Sequence, residues 1–157
     1  MAAYMASVPR NIRALVEADE CKLPSEFTIR GFSGESDDGG DTLDLFEFSF
    51  QDDGTGISTL CQFNSSSEAI VLGGRTPRYA CHDPSVHFIW QDTALTMIEK
   101  TCPDEQGQAD FEAAGTAPIE VVCGDGGGNS TGACVADSSC HAADVDAQFF
   151  SFSPVPT

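Results

Sequence analysis

The chain has 157 residues, with seven Lys and Arg against 25 Asp and Glu, which gives a formal net charge of −18. No Lys or Arg occurs between Gly31 and Gly74 or after Lys100. Because nucleic acids and anionic membrane surfaces are bound by clustered basic side chains, the composition argues against both as partners. The hydrophobic content of 41% is sufficient for the core of one domain, and no segment is long enough for a transmembrane helix.

The first twenty residues differ in character from the rest of the chain. Residues 7–18 carry the only helical pattern, with Ser7 as an N-cap, Pro9 in the first turn, and an apolar face. The pattern fits either a short docked helix or a disordered leader, and we favour the leader. We therefore divide the chain into a leader at residues 1–20, propeptide-like or derived from expression, and a β domain at residues 21–157.

The next segments alternate with the period of a β-strand. Residues 26–32 form the first predicted strand, and residues 33–41 an acidic, turn-rich loop. Residues 42–51 form the clearest strand, because Phe46, Phe48 and Phe50 point to one side. A turn at Asp53-Gly54 leads into a return strand at residues 57–63.

The second half of the chain continues the same pattern. Residues 86–92 and 94–102 form a second hairpin, weaker strands follow at residues 108–114 and 119–123, and residues 147–153 close the chain. Short strands at regular spacing, with turn residues between them, are typical of antiparallel all-β domains. The sequence predicts an all-β fold, either a single antiparallel β-barrel or a sandwich.

Seven cysteines occur in this short chain, and none belongs to a Cys-x-x-Cys pair of the kind that structural zinc sites use. They are Cys21, Cys61, Cys81, Cys102, Cys123, Cys134 and Cys140. Their number predicts disulfides and an oxidising, extracellular compartment, with one thiol left free or intermolecular. Two sequons, at Asn64 and Asn129, agree with secretion and predict glycosylation there.

Residues 123–134 form the most distinctive segment, with ten residues between two cysteines, five of them glycine. Glycine favours neither helix nor central strand, so the segment predicts a long loop whose ends are joined by a disulfide. Closing a loop of this length stabilises a fold by about 3 kcal/mol in the chain-entropy model.

Residues with catalytic or metal-binding chemistry show no pattern that specifies a site. His82, His87 and His141 are few and scattered. Glu35, Asp37, Asp38 and Asp41 supply oxygen atoms for calcium, but their spacing departs from the EF-hand loop and favours a solvated loop. Carboxylate pairs are available anywhere in so acidic a chain, and no Gly-x-Ser-x-Gly elbow occurs. We predict a protein without enzyme activity, metal or cofactor; a hydrolase is the alternative from another class.

The chain resembles a fungal family of small secreted β-barrel proteins, typified by the Alternaria major allergen, over residues 21–155. The resemblance rests on the order of cysteines and strands. It comprises the run Phe27-Thr-Ile-Arg-Gly-Phe32, the Phe-rich strand at 45–50, Cys61 and Cys81, the strands at 86–98, and the loop at 123–134. The family includes allergens and effectors that elicit plant defence.

The resemblance implies a disulfide framework. Cys61 with Cys81 and Cys123 with Cys134 match the two intrachain bridges of the family. Cys21 matches the cysteine that joins two allergen chains, but Cys102 suggests an internal Cys21–Cys102 bridge, as in relatives with six cysteines. That bridge would remove the covalent link, so a homodimer stays open, and Cys140 is the candidate free or intermolecular thiol.

The resemblance also implies a function. Family members bind plant defence proteins of the thaumatin-like type, and the allergen binds small phenolic ligands. We expect a secreted, non-enzymatic fungal effector that binds a host protein and uses the loops at residues 33–41 and 124–133 as recognition surface. A small-molecule carrier with a cavity inside the barrel is the second alternative, beside the hydrolase.

Overall fold

The computed structural model describes residues 8, 10, 23–37, 42–71, 76–103, 109–124 and 138–154. The predicted helix at residues 7–18 lies almost wholly outside these ranges. Val8, however, is only 2% exposed and belongs to the hydrophobic core, so this residue packs with the β domain. The leader at residues 1–20 and the boundary after it remain predictions.

The described part of the chain folds into eleven strands. They are β1 (Glu26–Ser36), β2 (Leu45–Asp52), β3 (Ile57–Phe63), β4 (Tyr79–Ala80), β5 (Val86–Gln91), β6 (Ala94–Pro103), β7 (Ala109–Pro118), β8 (Val122–Gly124), β9 (Ser138–His141), β10 (Val145–Gln148) and β11 (Ser151–Pro154). All paired strands are antiparallel, as the alternating sequence pattern predicts. The all-β prediction is confirmed.

The first sheet is ordered β3-β2-β1-β9-β8, with β10 also paired to β1. β1 therefore has two partners along one edge, β10 at its start and β9 at its end. Its pairing with β2 is interrupted by a bulge between Arg30 and Ser33. Gly31 lies there with φ of 63°, a conformation that glycine adopts without strain, and its N–H donates to Asp144 Oδ1 at 3.1 Å.

The second sheet is ordered β11-β7-β6-β5-β4. Within the described residues the hydrogen-bonded strands form two separate sheets, so no closed barrel is found there. Of the two predicted architectures, the sandwich is consistent with this arrangement.

Phenylalanine fills the space between the sheets, because every second residue of the long strands points inward. Phe46, Phe48 and Phe50 are all buried, as the sequence predicts. Their rings contact others from both sheets: Phe46 lies 5.4 Å from Phe32 and 5.7 Å from Phe88, measured between ring centroids. Such aromatic pairs add about 0.5–1.5 kcal/mol each beyond the burial of their area.

The two sheets are also joined at their margins. On one side the Cys61–Cys81 disulfide and a hydrogen bond from the His82 N–H to the Leu60 carbonyl, at 2.9 Å, connect β3 with the beginning of the second sheet. On the other side Gly115 of β7 lies against the backbone of Gln148 and Phe149. The sandwich is thus tied along two edges.

Several predicted boundaries differ from the structure. Residues 33–36 continue β1 instead of opening the acidic loop, because β9 pairs with them. β7 runs on to Pro118, since β6 supplies partners along its whole length. The predicted strand at residues 119–123 begins only at Val122, and the one at 147–153 is divided between β10 and β11, which belong to different sheets.

Candidate functional site

The outer face of the first sheet is polar and acidic. Strand alternation turns Glu26, Glu35 and Glu47 to solvent on β1 and β2, while Asp146 of β10 joins them beside Thr28. The Thr28 hydroxyl donates to Asp146 Oδ1 at 2.7 Å. Arg30 is the only basic residue among the described positions of these three strands, so the face carries net negative charge.

A groove of about 430 Å³ crosses one end of this face. It combines carboxylates, amides and hydroxyls with apolar surface. Its lining comprises Ser33, Gly34, Glu35, Leu45, Phe46, Glu47, Gln62, Phe63, Asn64, Ser139 and Cys140. Leu45 is 38% exposed and gives the groove an accessible apolar contact.

Hydrogen bonds orient the polar side chains on the β3 side of the groove. Gln62 Nε2 donates to Glu47 Oε2 at 3.1 Å, and Gln62 Oε1 lies 3.2 Å from His82 Nε2. Because the amide nitrogen is directed to the carboxylate, its oxygen accepts from the protonated Nε2 of the imidazole. The three side chains form one chain, which holds Glu47 in a defined position beside the groove.

Two disulfides lie within the described residues. The Cys61–Cys81 bridge is the one that the family resemblance implies. The predicted Cys123–Cys134 bridge is wrong, because Cys123 is bonded to Cys140. Cys140 is therefore not a free thiol. The reason is topological: β8 and β9 are neighbours, and their register places Cys123 directly opposite Cys140.

The remaining cysteines are only partly within the described residues. Cys102 is disulfide-bonded. Cys21 and Cys134 lie outside the described ranges, so the Cys21–Cys102 bridge stays a prediction. The glycine-rich loop at residues 125–133 also lies outside them, with Asn129.

Two acidic side chains are buried together between the sheets. Asp52 ends the inward-pointing row of β2, and Glu99 lies in the inward-pointing row of β6; each is 1% exposed. The Glu99 carboxyl lies within hydrogen-bonding reach of Asp52 and Thr55. Burial, and then the nearby Asp52 carboxyl, raise the pKa of Glu99 to about 9, so this carboxyl is protonated at neutral pH.

A second set of buried charges lies on the outer side of the second sheet. Arg78 Nη1 and Nη2 bind the Glu112 carboxylate at 2.8 and 3.2 Å, in a bidentate pair. His87 is buried nearby, and burial, followed by the charges of Lys100 and Arg78, lowers its pKa to about 4. His87 follows the inward-pointing Val86 and therefore points to the opposite, outer side of the sheet.

The other candidates from the sequence do not come together in a metal or catalytic site within the described residues. His82 and His141 are exposed, as are Glu35 and Asp37, whereas Asp38 and Asp41 lie outside the described residues. Among the described residues, no group of three or more His, Cys, Asp or Glu side chains is arranged to hold a metal ion. Trp90 and Tyr79 pack against Phe rings of the core.

Asn64 lies directly after β3, where its side chain is exposed. Its Oδ1 accepts hydrogen bonds from the N–H and hydroxyl of Ser66, at 2.9 and 2.6 Å. The position is open enough for a glycan, which would stand at the rim of the groove. Glycosylation at Asn64 and Asn129 stays a prediction.

The sequence carries a signal for the buried acids, although neither residue was among the predicted site residues. Glu99 continues the alternation of Leu95 and Met97, and Asp52 continues that of Phe46, Phe48 and Phe50. An acidic residue on the apolar face of a strand is expected to be buried. No local sequence pattern predicts the groove, because its lining residues come from four different strands, β1, β2, β3 and β9.

The described residues define a disulfide-linked, two-sheet all-β protein with an acidic outer face. Its structural neighbours include crystal structures of the allergen Alt a 1 from Alternaria alternata. One has a TM-score of 0.57 and 17% identity over 86% of this chain and 92% of the allergen chain. Another has a TM-score of 0.55 and 16% identity over 87% and 98%.

The resemblance predicted from the sequence is thus confirmed for the fold, and the fold fits an allergen-like protein. The disulfides fit an extracellular protein. No family model and no curated sequence matches the chain. Within the described residues, no helix has the length and apolar character needed to cross a membrane.

Proposed function

We propose that this protein acts outside the cell as a non-enzymatic effector that binds a basic host protein through the acidic face of its first sheet. The groove beside Glu35 and Glu47 is the observation that carries the proposal. Neither carboxylate forms an ion pair with a described residue. Both are available to the Lys and Arg side chains of a partner, whose aliphatic stems would pack on Leu45.

The arrangement of the two glutamates supports this function. The β1–β2 register places Ser33 opposite Glu47 and Glu35 opposite Leu45, so the carboxylates occupy diagonal positions on neighbouring strands. Like charges at such positions repel each other and contribute nothing to folding. A basic partner would neutralise them. The net charge of −18 would attract such a partner and accelerate its association.

The two alternatives receive less support. Packed Phe rings occupy the space between the sheets, which argues against a carrier cavity there. Asp52 and Glu99 form a carboxyl pair, but at 1% exposure a substrate cannot reach them as it would a hydrolase site. The two crystal structures compared above both carry the name of an allergen.

The resemblance to fungal effectors points to plant defence proteins of the thaumatin-like type as the first partners to test, beginning with a member that carries net positive charge. We expect the Glu35→Gln/Glu47→Gln double variant to bind such a purified protein about tenfold more weakly at low salt, because two rim charges are lost. Titration calorimetry at two salt concentrations measures this, and the difference from wild type should shrink at high salt.

The control is the Asp92→Asn/Glu120→Gln double variant, which removes two exposed charges away from the groove. It should retain wild-type affinity. Equal weakening of both double variants would mean that only net charge matters, and the acidic face would not be the site. Absence of binding to every basic defence protein tested would remove the proposed function itself.

A further inference from the structure

Three oxygen atoms at one end of the core lack hydrogen bonds from the described residues. They are Asp52 Oδ2, Thr55 Oγ1 and Glu99 Oε1. A buried oxygen without a partner destabilises the folded chain, and a buried charge does so more strongly. Two carboxyl oxygen atoms that face each other in such a site are satisfied by a proton or by a metal cation between them, whereas the Thr55 hydroxyl has a hydrogen of its own to donate.

No basic side chain faces Glu99 from the neighbouring elements described. β2 contributes Asp52, the β2–β3 turn contributes Thr55, and the β4–β5 turn contributes Asp83. On its own sheet Glu99 lies opposite Val86 of β5 and Ala113 of β7. Lys100 follows Glu99 on β6 and therefore points to the other side of the sheet.

A proton satisfies this site better than a metal cation. Asp52 Oδ1 is already engaged, since it accepts the N–H of Gly54 at 2.9 Å and that of Thr55 at 3.2 Å. Few oxygen atoms remain, whereas calcium takes six to eight oxygen ligands. A proton needs only one donor and one acceptor oxygen.

We propose that Asp52 and Glu99 share one proton between the two sheets, and that loss of this proton releases the β2–β3 turn (residues 53–56) from β6. The turn depends on Asp52 in three ways. Asp52 Oδ1 caps the Gly54 and Thr55 N–H groups, and its carbonyl accepts the Gly56 N–H at 2.9 Å. The turn exposes Asp53, Gly54 and Gly56, so it can open locally while the Phe core stays packed.

The direction of the pH dependence follows from burial. Once both carboxyls are ionised, two like charges lie in a site shielded from water, and the state with the turn released, where both are hydrated, is favoured. The turn is therefore closed in acidic surroundings and opens more often as the pH rises. This inference does not depend on the proposed binding function, because the groove lies at the opposite end of the β2–β3 hairpin.

Hydrogen exchange of the Gly54 and Thr55 amides, followed by NMR, tests the inference. Protection factors remove the intrinsic pH dependence of exchange. For one proton released per opening, we expect them to fall by up to about tenfold per pH unit between pH 5 and pH 8. The amide of Met97, deep in the core, is the reference for global unfolding, which also hydrates Glu99, so protection at Gly54 and Thr55 should stay below that at Met97 at every pH if the turn opens locally.

Two variants address the shared proton. In Glu99→Gln the amide still donates to Asp52 and cannot ionise, so protection at Gly54 and Thr55 should not change with pH. In Asp52→Asn the side-chain oxygen still caps the turn and the amide donates to Glu99, which lowers the pH at which Glu99 titrates. Glu47→Gln, on the outer face of β2, is the control and should behave as wild type.

Either of two results would overturn the inference. One is a Glu99→Gln variant with the pH dependence of wild type. The other is a gain in protection at Gly54 and Thr55 when millimolar calcium is added to wild type but not to Glu99→Gln, because a cation would then occupy the place of the proton.

Discussion

Glu99 and His87 are buried ionisable residues, and their contributions to stability change in opposite directions as the pH rises. The pKa of Glu99 is raised to about 9 in the folded chain, above the usual 4.5, so its contribution is fully present below pH 4.5 and is lost as the pH rises to 9. The pKa of His87 is lowered to about 4 from 6.5, so its contribution is present above pH 6.5 and is lost as the pH falls to 4.

Between pH 4.5 and 6.5 the changes that Glu99 and His87 cause in the free energy of unfolding have opposite signs and largely cancel. We predict that the free energy of unfolding of His87→Gln, relative to that of wild type, is higher at pH 4.5 than at pH 7 by on the order of 2 kcal/mol. The reason is that wild type at pH 4.5 must keep its buried imidazole neutral, whereas glutamine does not titrate. Urea unfolding at both pH values measures the difference. The same shift in His82→Gln, an exposed histidine, would show that burial of His87 is not the cause.

At the scale of strands, two glycines allow close contacts that a side chain would prevent. A Cβ on Gly34 would meet the Leu45 carbonyl and lie 2.9 Å from Phe46 Cβ. A Cβ on Gly115 would meet the Gln148 carbonyl and lie 2.9 Å from Phe149 Cα, at the margin where β7 approaches the segment after β10. In both places the obstacle is backbone or a fixed core side chain.

We predict that Gly115→Ala destabilises the protein by about 2–3 kcal/mol, because the strands must separate to admit the methyl group. Thermal or urea unfolding measures this. Ala114→Gly, the reverse change one residue away, should cost only the 0.5–1 kcal/mol, roughly, of a glycine in a strand. A Gly115→Ala variant as stable as wild type would show that the two segments are less closely packed than described.

The bridges also show how strand pairing decides what spacing cannot. The glycine-rich segment at residues 124–133 favoured a local Cys123–Cys134 bridge, since both cysteines flank it. The structure pairs Cys123 with Cys140, 17 residues away, because β8 and β9 are neighbours. Register between strands depends on the whole sheet, and no local pattern in this sequence contains it.

At the scale of the whole molecule, the Cys61–Cys81 disulfide ties the first sheet to the second. We predict that Cys61→Ala/Cys81→Ala lowers the free energy of unfolding by about 3 kcal/mol, as expected for a closed loop of this length. Cys123→Ala/Cys140→Ala should have an effect of similar size, although the bridge that it removes joins two strands of the same sheet.

Dithiothreitol provides the comparison in the unaltered chain. Reduction should lower the melting temperature of wild type more than that of either double variant, because each variant has one bridge fewer to lose. Peptide mapping without reduction should recover residues 123 and 140 in one linked fragment. An unchanged melting temperature in wild type would contradict the disulfide framework.

The sequence by itself determined the all-β class, the Phe-filled core, the acidic surface and the need for disulfides. These properties follow from alternation and composition, which are local or additive. Only the tertiary structure decided the two-sheet arrangement, the Cys123–Cys140 pairing, the groove on the first sheet and the contact of Asp52 with Glu99. Each of these joins residues from different strands, and their proximity depends on strand order and register.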